Sequence, residues 1–263
     1  MESEVKQLIL VIAKSISRRI KRLQSDGILL GRKVGVGADG TPTEYIDKVA
    51  EDTAIKHVKK SGLSLNILSE EAGFIDLGGE YTLVLDPIDG TRNAIRGIPF
   101  YSTSLAVGRN TLSSIEYGVV LNIPTGDVFI AERNRGAYLN NKRVFTPNHP
   151  HNEILYSLNL GRNIDDLSLR LASRDNVRSL GAASLEMCMV AIGALDYYMM
   201  GREYLRVTDI AASTLIVREA GGVVTDKIGR SLEMDLSLDE RTSVIAACSR
   251  EVIDEVLKNS FYE

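Results

Sequence analysis

Val5, Leu8, Ile9, Ile12, Ile16, Ile20 and Leu23 recur at spacings of three and four, which predicts a long first helix with one apolar face. Ile46, Val49, Ala50, Ala54 and Val58 repeat that period and predict a second amphipathic helix, entered at Pro42 or Thr43. Between them GRKVGVGADGTP holds four glycines and a proline and reads as a loop that can move. The period then changes. LNIL at 65–68, YTLVLD at 81–86 and STSLAVG at 102–108 are short apolar runs that read as strands. SIEYGVVL, NIPTGDVFIAE and AYLNNKRV alternate and are punctuated by Pro-Thr-Gly and Asn-Asn, which predicts antiparallel hairpins.

Around His149-Pro150-His151 the pattern loosens, which marks a boundary between an N-terminal α+β lobe, residues 1–147, and a C-terminal α/β lobe, residues 148–263. Beyond it strand and helix alternate: ILYSLN, a helix from about Ser184, LDYYMM, a helix from about Thr208, GGVVTD, TSVIAAC and a last helix from about Arg250. The fold class is therefore mixed α/β, with candidate chemistry between two lobes.

Composition adds limits. At 263 residues, 44% hydrophobic and 25% charged, the chain has the make-up of a folded protein with a sizeable core. The formal net charge is -4 and the acids are scattered, so nothing marks a nucleic-acid or membrane surface. An anionic ligand must then be met locally, by a cation or by directed donors. Cys188 and Cys248 lie far apart in apolar surroundings and read as buried free thiols, which suits a reducing cytoplasm. No small-residue cleavage site follows the first helix, and no run approaches the ~20 apolar residues of a membrane span.

The strongest local signal is Leu85-Asp86-Pro87-Ile88-Asp89-Gly90-Thr91. An apolar strand delivers Asp86 at its end, proline bends the chain, and Asp89 follows three residues later, ahead of a glycine. Two carboxylates share one strand end, and Pro87 suits a turn that leaves the Ile88 carbonyl pointing outward. Mg²⁺ accepts carboxylate, carbonyl and water oxygens together. If a helix starts after Gly90, the N–H groups of Gly90, Thr91 and Arg92 face any anion at its start. The plain alternative is a helix with Asp89 as its N-cap. Glu70 and Glu71 end another strand before Gly73, and Asp209 opens an apolar helix; alone, these read as a solvated loop and an N-cap.

Taken in order from about residue 36 to 225, SEEAG, DPIDGTRN and TDIAAS, with REAGG closing that helix, resemble the signatures of the inositol monophosphatase and fructose-1,6-bisphosphatase superfamily. GAASLEMCMVAIGALDYYM is similar to its sugar-proximal stretch. The resemblance implies a layered α-β-α-β-α sandwich and Mg-dependent hydrolysis of phosphate monoesters of small polyols or sugars, inositol 1-phosphate or fructose 1,6-bisphosphate. It further implies that Glu70, Asp86, the Ile88 carbonyl, Asp89 and Asp209 hold two or three Mg²⁺ ions. Asp47 and Thr91 look like the pair that orients the attacking water, with Glu70 beside them. Asp89, Gly90, Thr91, Arg178, Ala183 and Arg202 look like substrate contacts. A cytoplasmic homodimer and inhibition by Li⁺ belong to the same resemblance, and the glycine-rich loop at 31–42 is expected to close over the metals. Much of the family has Trp before the late aspartate; here Thr208 stands there and the chain has no Trp, which resembles the archaeal dual-activity branch.

Three rivals stay open. A haloacid-dehalogenase-like phosphatase would phosphorylate its own aspartate, but its Asp-x-Asp-Gly-Thr pattern is one residue shorter than the segment here. A 3'-phosphoadenosine 5'-phosphate phosphatase and a non-catalytic regulatory protein would share the resembling fold. P-loop and zinc chemistry lack their motifs, since no G-x-x-x-x-G-K-[ST] and no H-E-x-x-H occur.

Overall fold

A computed structural model describes residues 2–38, 40–148, 153–160, 164–173 and 176–258. Helix α1, Glu2–Ser25, leads to a ribbon of β1 (Lys33–Val36) and β2 (Pro42–Glu44), then helix α2, Tyr45–Ser61. The ribbon corrects the expectation of an open loop. Val34 and Val36 favour extended backbone, and Gly37 and Gly40 supply the turn, with Gly37 N–H donating to the Thr41 carbonyl at 2.8 Å.

Eight strands follow: β3 (Leu65–Ser69), β4 (Gly73–Ile75), β5 (Tyr81–Asp89), β6 (Ser102–Gly108), β7 (Tyr117–Asn122), β8 (Val128–Glu132), β9 (Gly136–Leu139) and β10 (Lys142–Val144). They form one sheet in the order β10-β9-β8-β7-β6-β5-β3-β4, antiparallel except for the β3–β5 pair. A second sheet holds β11 (Tyr156–Leu158), β12 (Val177–Arg178), β13 (Tyr197–Leu205), β14 (Val223–Thr225) and β15 (Thr242–Ala247), ordered β12-β11-β13-β15-β14. Helices α3 (Thr91–Arg96), α4 (Asp166–Ala172), α5 (Ala183–Ala191), α6 (Val207–Glu219) and α7 (Arg250–Lys258) complete the chain. The sequence pattern had not marked α4, whose N-cap Asp165 accepts the Ser168 N–H at 2.9 Å.

Strand alternation sorts the side chains into layers. Leu83 and Leu85 of β5, with Leu105 and Leu121, pack against Ile9, Ile12, Ile16 and Ile20 of α1 and Ile46 and Ala50 of α2. Val84, Ala106 and Val120 point the other way, into a core shared with α5, α6 and Tyr198, Met200, Val244 and Ala246 of the second sheet. The far side of that sheet, Tyr197, Met199, Ile245 and Ala247, packs with Leu171 of α4 and Val252, Ile253 and Val256 of α7. The result is the expected α-β-α-β-α sandwich.

Because α6 lies in the middle layer, every residue from Val207 to Val217 is buried, its small and apolar side chains packing on all sides with Thr208, Asp209, Ser213 and Thr214 among them. Gly118 on β7 lets it approach: a Cβ there would stand 3.0 Å from the Ala212 carbonyl. The expected boundary at His149–His151 lies outside the described residues. The two sheets fall on either side of it and share the middle-layer core.

Candidate active site

The site starts from an irregularity in β5. Asp86 pairs with Ser104 of β6 and Asp89 with Ser102, so three steps along one strand match two along the other. Residues three apart on a regular strand face opposite ways; the single extra residue of this β-bulge cancels that alternation. Both aspartates therefore emerge on the face covered by α5 and α6. Pro87, which lacks an N–H, sits where the ladder is already interrupted. The Ile88 side chain packs on the opposite, α1–α2 side.

Asp89 does cap a helix, but not the one that follows it. Gly90 occupies the N-cap of α3 with φ 86° and no side-chain capping bond. The Asp89 carboxylate instead accepts from Ala183 N–H at 3.1 Å, Ser184 N–H at 2.8 Å and the Ser184 hydroxyl at 2.6 Å. It thereby satisfies the first N–H groups of α5, 94 residues away, whose own N-cap residue, Ala182, offers no side-chain acceptor. Gly90 is held close by the same packing, its absent Cβ 3.1 Å from that of Ala182.

Glu70 comes from the turn between β3 and β4. Glu51, one helical turn after Asp47 on the buried side of α2, fixes this turn by accepting from the Ser69 hydroxyl at 2.5 Å and Ala72 N–H at 2.8 Å. The ribbon is tied to it as well: Ala38 N–H donates to the Glu71 carbonyl at 2.9 Å, and the Thr43 hydroxyl donates to the Glu71 carboxylate. Asp209 comes from the first turn of α6 and accepts Arg206 N–H at 2.8 Å. Arg206 also reaches Glu70, Nη1 to Oε1 at 2.6 Å, and its Nε lies 3.6 Å from Asp209 Oδ2.

These placements bring one oxygen each of Glu70, Asp86 and Asp209 within 4.8 Å of one another. Two ligands of a single Mg²⁺ stand at most about 4.2 Å apart, twice the ~2.1 Å bond, so small side-chain shifts would let the three share a hard cation. The all-oxygen donor set suits hard divalent cations such as Mg²⁺, Mn²⁺ or Ca²⁺.

Sequence and fold comparisons agree on what this arrangement belongs to. The model of the inositol monophosphatase family matches residues 3–262. The chain belongs to that family. It is 39% identical to a fructose-1,6-bisphosphatase/inositol-1-monophosphatase of Methanocaldococcus jannaschii, over 94% of this chain and 97% of that protein. It is 37% identical to a bifunctional NADP phosphatase/NAD kinase of Methanococcus maripaludis over 97% of its own length, but spans only 49% of that longer relative. Among solved structures, an inositol monophosphatase-fructose 1,6 bisphosphatase superposes with a TM-score of 0.84 at 36% identity, covering 96% of this chain and 98% of that one. As an inositol monophosphatase family member the protein is a phosphoric monoester hydrolase of a metal-dependent family, and it carries an acidic cluster.

The electrostatics of this family member call for a cation. Burial pushes the Asp86 carboxyl well above the usual carboxylate range, and Asp89, Asp209 and Glu70 add repulsion that Arg206 partly offsets. Burial raises Asp89 to about 7 against the opposing Ser184 hydrogen bond. Burial opposes the Arg206 charge, but Asp209, Glu70 and Asp86 outweigh it and raise its pKa.

Asp47 is raised to about 8 by burial, opposed by its Thr91 hydrogen bond and reinforced by Glu71, Glu44 and Glu70. The Thr91 hydroxyl lies 2.9 Å from Asp47 Oδ1 and 2.9 Å from the Ile88 carbonyl. It has one hydrogen for two acceptors. Both contacts are satisfied when a protonated Asp47 donates to Thr91 and Thr91 donates to Ile88.

The two arginines named from the sequence are placed differently. Arg178 is exposed on β12 and donates to the Val177 carbonyl at 2.9 Å. Arg202, on β13, holds its guanidinium 4.9 Å from the Tyr204 ring centre. Three further residues hold the site in place without a role that their sequence context assigns. Glu51 had a signal, an acid inside the apolar stripe of α2. Arg206 had a weak one, three residues before Asp209. Asn93 closes the DPIDGTRN signature without a role being assigned to it: it donates to the Phe100 and Leu180 carbonyls at 2.7 Å each, fastening the segment that leads into α5 onto α3.

Proposed function

We propose that the protein hydrolyses phosphate monoesters of small polyols or sugars, inositol 1-phosphate and fructose 1,6-bisphosphate, with two or three Mg²⁺ ions held by Glu70, Asp86, the Ile88 carbonyl, Asp89 and Asp209. The observation that carries this reading is the convergence of Glu70, Asp86 and Asp209 oxygens within 4.8 Å of one another. When bound, Mg²⁺ offsets the phosphoryl charge, lowers the pKa of water and stabilises the attacking and leaving oxygens. The protein's residues supply position and proton handling. Gly90 and Thr91 main-chain N–H groups, where α3 begins, receive the phosphate. Thr91, 2.9 Å from Asp47, orients the attacking water, and Asp47 in its ionised form, which bound cations would favour, takes the proton. Asp89 is fixed by α5, so the segment from Arg178 to Ala183 and the metal-binding strand end form one unit. Arg178 and Arg202 contact the remainder of the substrate.

A panel of esters assayed with and without Mg²⁺ tests this reading through kcat/KM. Activity should vanish in EDTA, return with Mg²⁺ and favour inositol or fructose phosphates. Turnover that survives chelation, or a trapped phosphoaspartate on Asp86, would refute it. The Methanococcus maripaludis relative's name motivates a second reading, in which a nucleotide phosphate such as NADP leads the panel. Alanine variants of Arg178 and Arg202 should change discrimination among esters more than metal binding. A cytoplasmic homodimer goes with the proposal, and sedimentation of the full chain checks its stoichiometry.

A further inference from the structure

We propose that Arg206 is a resident counter-ion of the acidic centre, a positioning residue that takes the place of one divalent cation between Glu70 and Asp209. The inference rests on the metal-site reading above. Arg206 stands at the N-cap of α6 with extended φ and ψ of -93° and 166°. That position favours Ser, Thr, Asp or Asn, and the positive end of the helix dipole disfavours a cation there. Arginine is thus a poor residue for its own helix, and what offsets the cost lies outside it.

The offsetting contacts are the 2.6 Å bond from Nη1 to Glu70 and the 3.6 Å approach of Nε to Asp209. The Arg206 side chain is 14% exposed and that of Glu70 21%, so water screens the pair far less than a surface one. Main chain and side chain act together, since Arg206 N–H donates to the same Asp209 oxygen that Nε approaches. The guanidinium clamps a turn of the first sheet to a helix of the middle layer. Asp86 places its oxygen in the same small space, so a positive charge at this point serves three carboxylates.

Two consequences have opposite signs. Without the guanidinium the carboxylates repel one another more strongly, and the metal-free protein loses a clamp. A divalent ion, however, gains a more negative site and loses a competitor for the Glu70 and Asp209 oxygens. A merely structural ion pair would lower stability without tightening metal binding.

The experiment titrates the full chain with Mn²⁺, following free Mn²⁺ by electron paramagnetic resonance, for the wild type, Arg206→Met and Arg206→Lys. Thermal melts are run in EDTA and in saturating Mn²⁺. Arg206→Met should bind Mn²⁺ roughly tenfold more tightly at its weakest site, or bind one further ion. Its melting temperature should fall in EDTA and recover with Mn²⁺. Arg206→Lys, which keeps the charge but loses the planar fork, should lie between; if the Met variant does not fold, this one carries the test with the same signs. Mn²⁺ binding that is unchanged or weaker in the variants overturns the inference. Wild type that binds no Mn²⁺ overturns the metal reading, and the counter-ion role with it.

Discussion

Asp89 and Asp127 both accept hydrogen bonds from neighbours that hold them in place, yet their carboxyls shift in opposite directions. Asp127, at the turn between β7 and β8, takes the Thr125 hydroxyl and the Asn140 amide at 2.7 Å each, and these bonds lower its pKa. Asp89 takes bonds from Ala183 and Ser184, and its pKa is still raised to about 7. Burial is the difference. At the hairpin, water solvates the charge and the hydrogen bonds add to it; between the layers, desolvation and neighbouring acids exceed what the bonds return. The first arrangement stabilises a turn. The second stores unfavourable charge that a cation relieves, which is the property a metal-dependent hydrolase needs.

Substitution at the two sites should separate them most sharply. Asp89→Asn removes a charge that the metal and substrate need, and turnover should fall by about a thousandfold or more with the fold retained by circular dichroism. A variant that keeps turnover within a few-fold of wild type would remove Asp89 from the chemistry. Next in size is Thr91→Ala, which leaves Asp47 and the Ile88 carbonyl without their shared hydroxyl. A loss of roughly a hundredfold in kcat, with KM little changed, is expected. An equal rise in KM with kcat intact would mean Thr91 only binds substrate.

The buried region should also make the metal-free protein pH-sensitive. Folded values near 7 for Asp89 and 8 for Asp47 lie above the ordinary 3.8. A raised folded-state pKa contributes stability that is complete below the unfolded value and is lost as pH rises through the folded one. In EDTA the melting temperature should therefore decline from about pH 4 to about pH 8, and Mg²⁺ should flatten that decline. A flat profile in EDTA would contradict the burial argument. The smallest effect belongs to the hairpin: Asp127→Asn should cost about 1 kcal/mol or less in urea unfolding and leave kcat unchanged.

Much of this was readable along the chain. The i, i+3, i+4 spacing of Ile9, Ile12, Ile16 and Ile20 specified α1, and alternation specified the hairpins, because local geometry turns those periods into faces. The glycine-rich stretch was harder, since glycine is compatible with loop and ribbon alike and its pairing partner, Pro42–Glu44, decides between them. DPIDGT alone was compatible with a metal site or a capped helix, and its resemblance to the family signature, in order with SEEAG and TDIAAS, decided for chemistry.

By itself the sequence determined the mixed α/β class, through local period, and through its motifs the resemblance that implied the layered sandwich and the acidic residues worth testing. The tertiary structure decided how they meet. It made one extra residue in β5 a bulge that turns Asp86 and Asp89 to the same side, and it set Asp89 at the start of α5 and Arg206 between Glu70 and Asp209. Such facts depend on which distant segments pack together and exclude water, and the strength of every charge in the site follows from that exclusion.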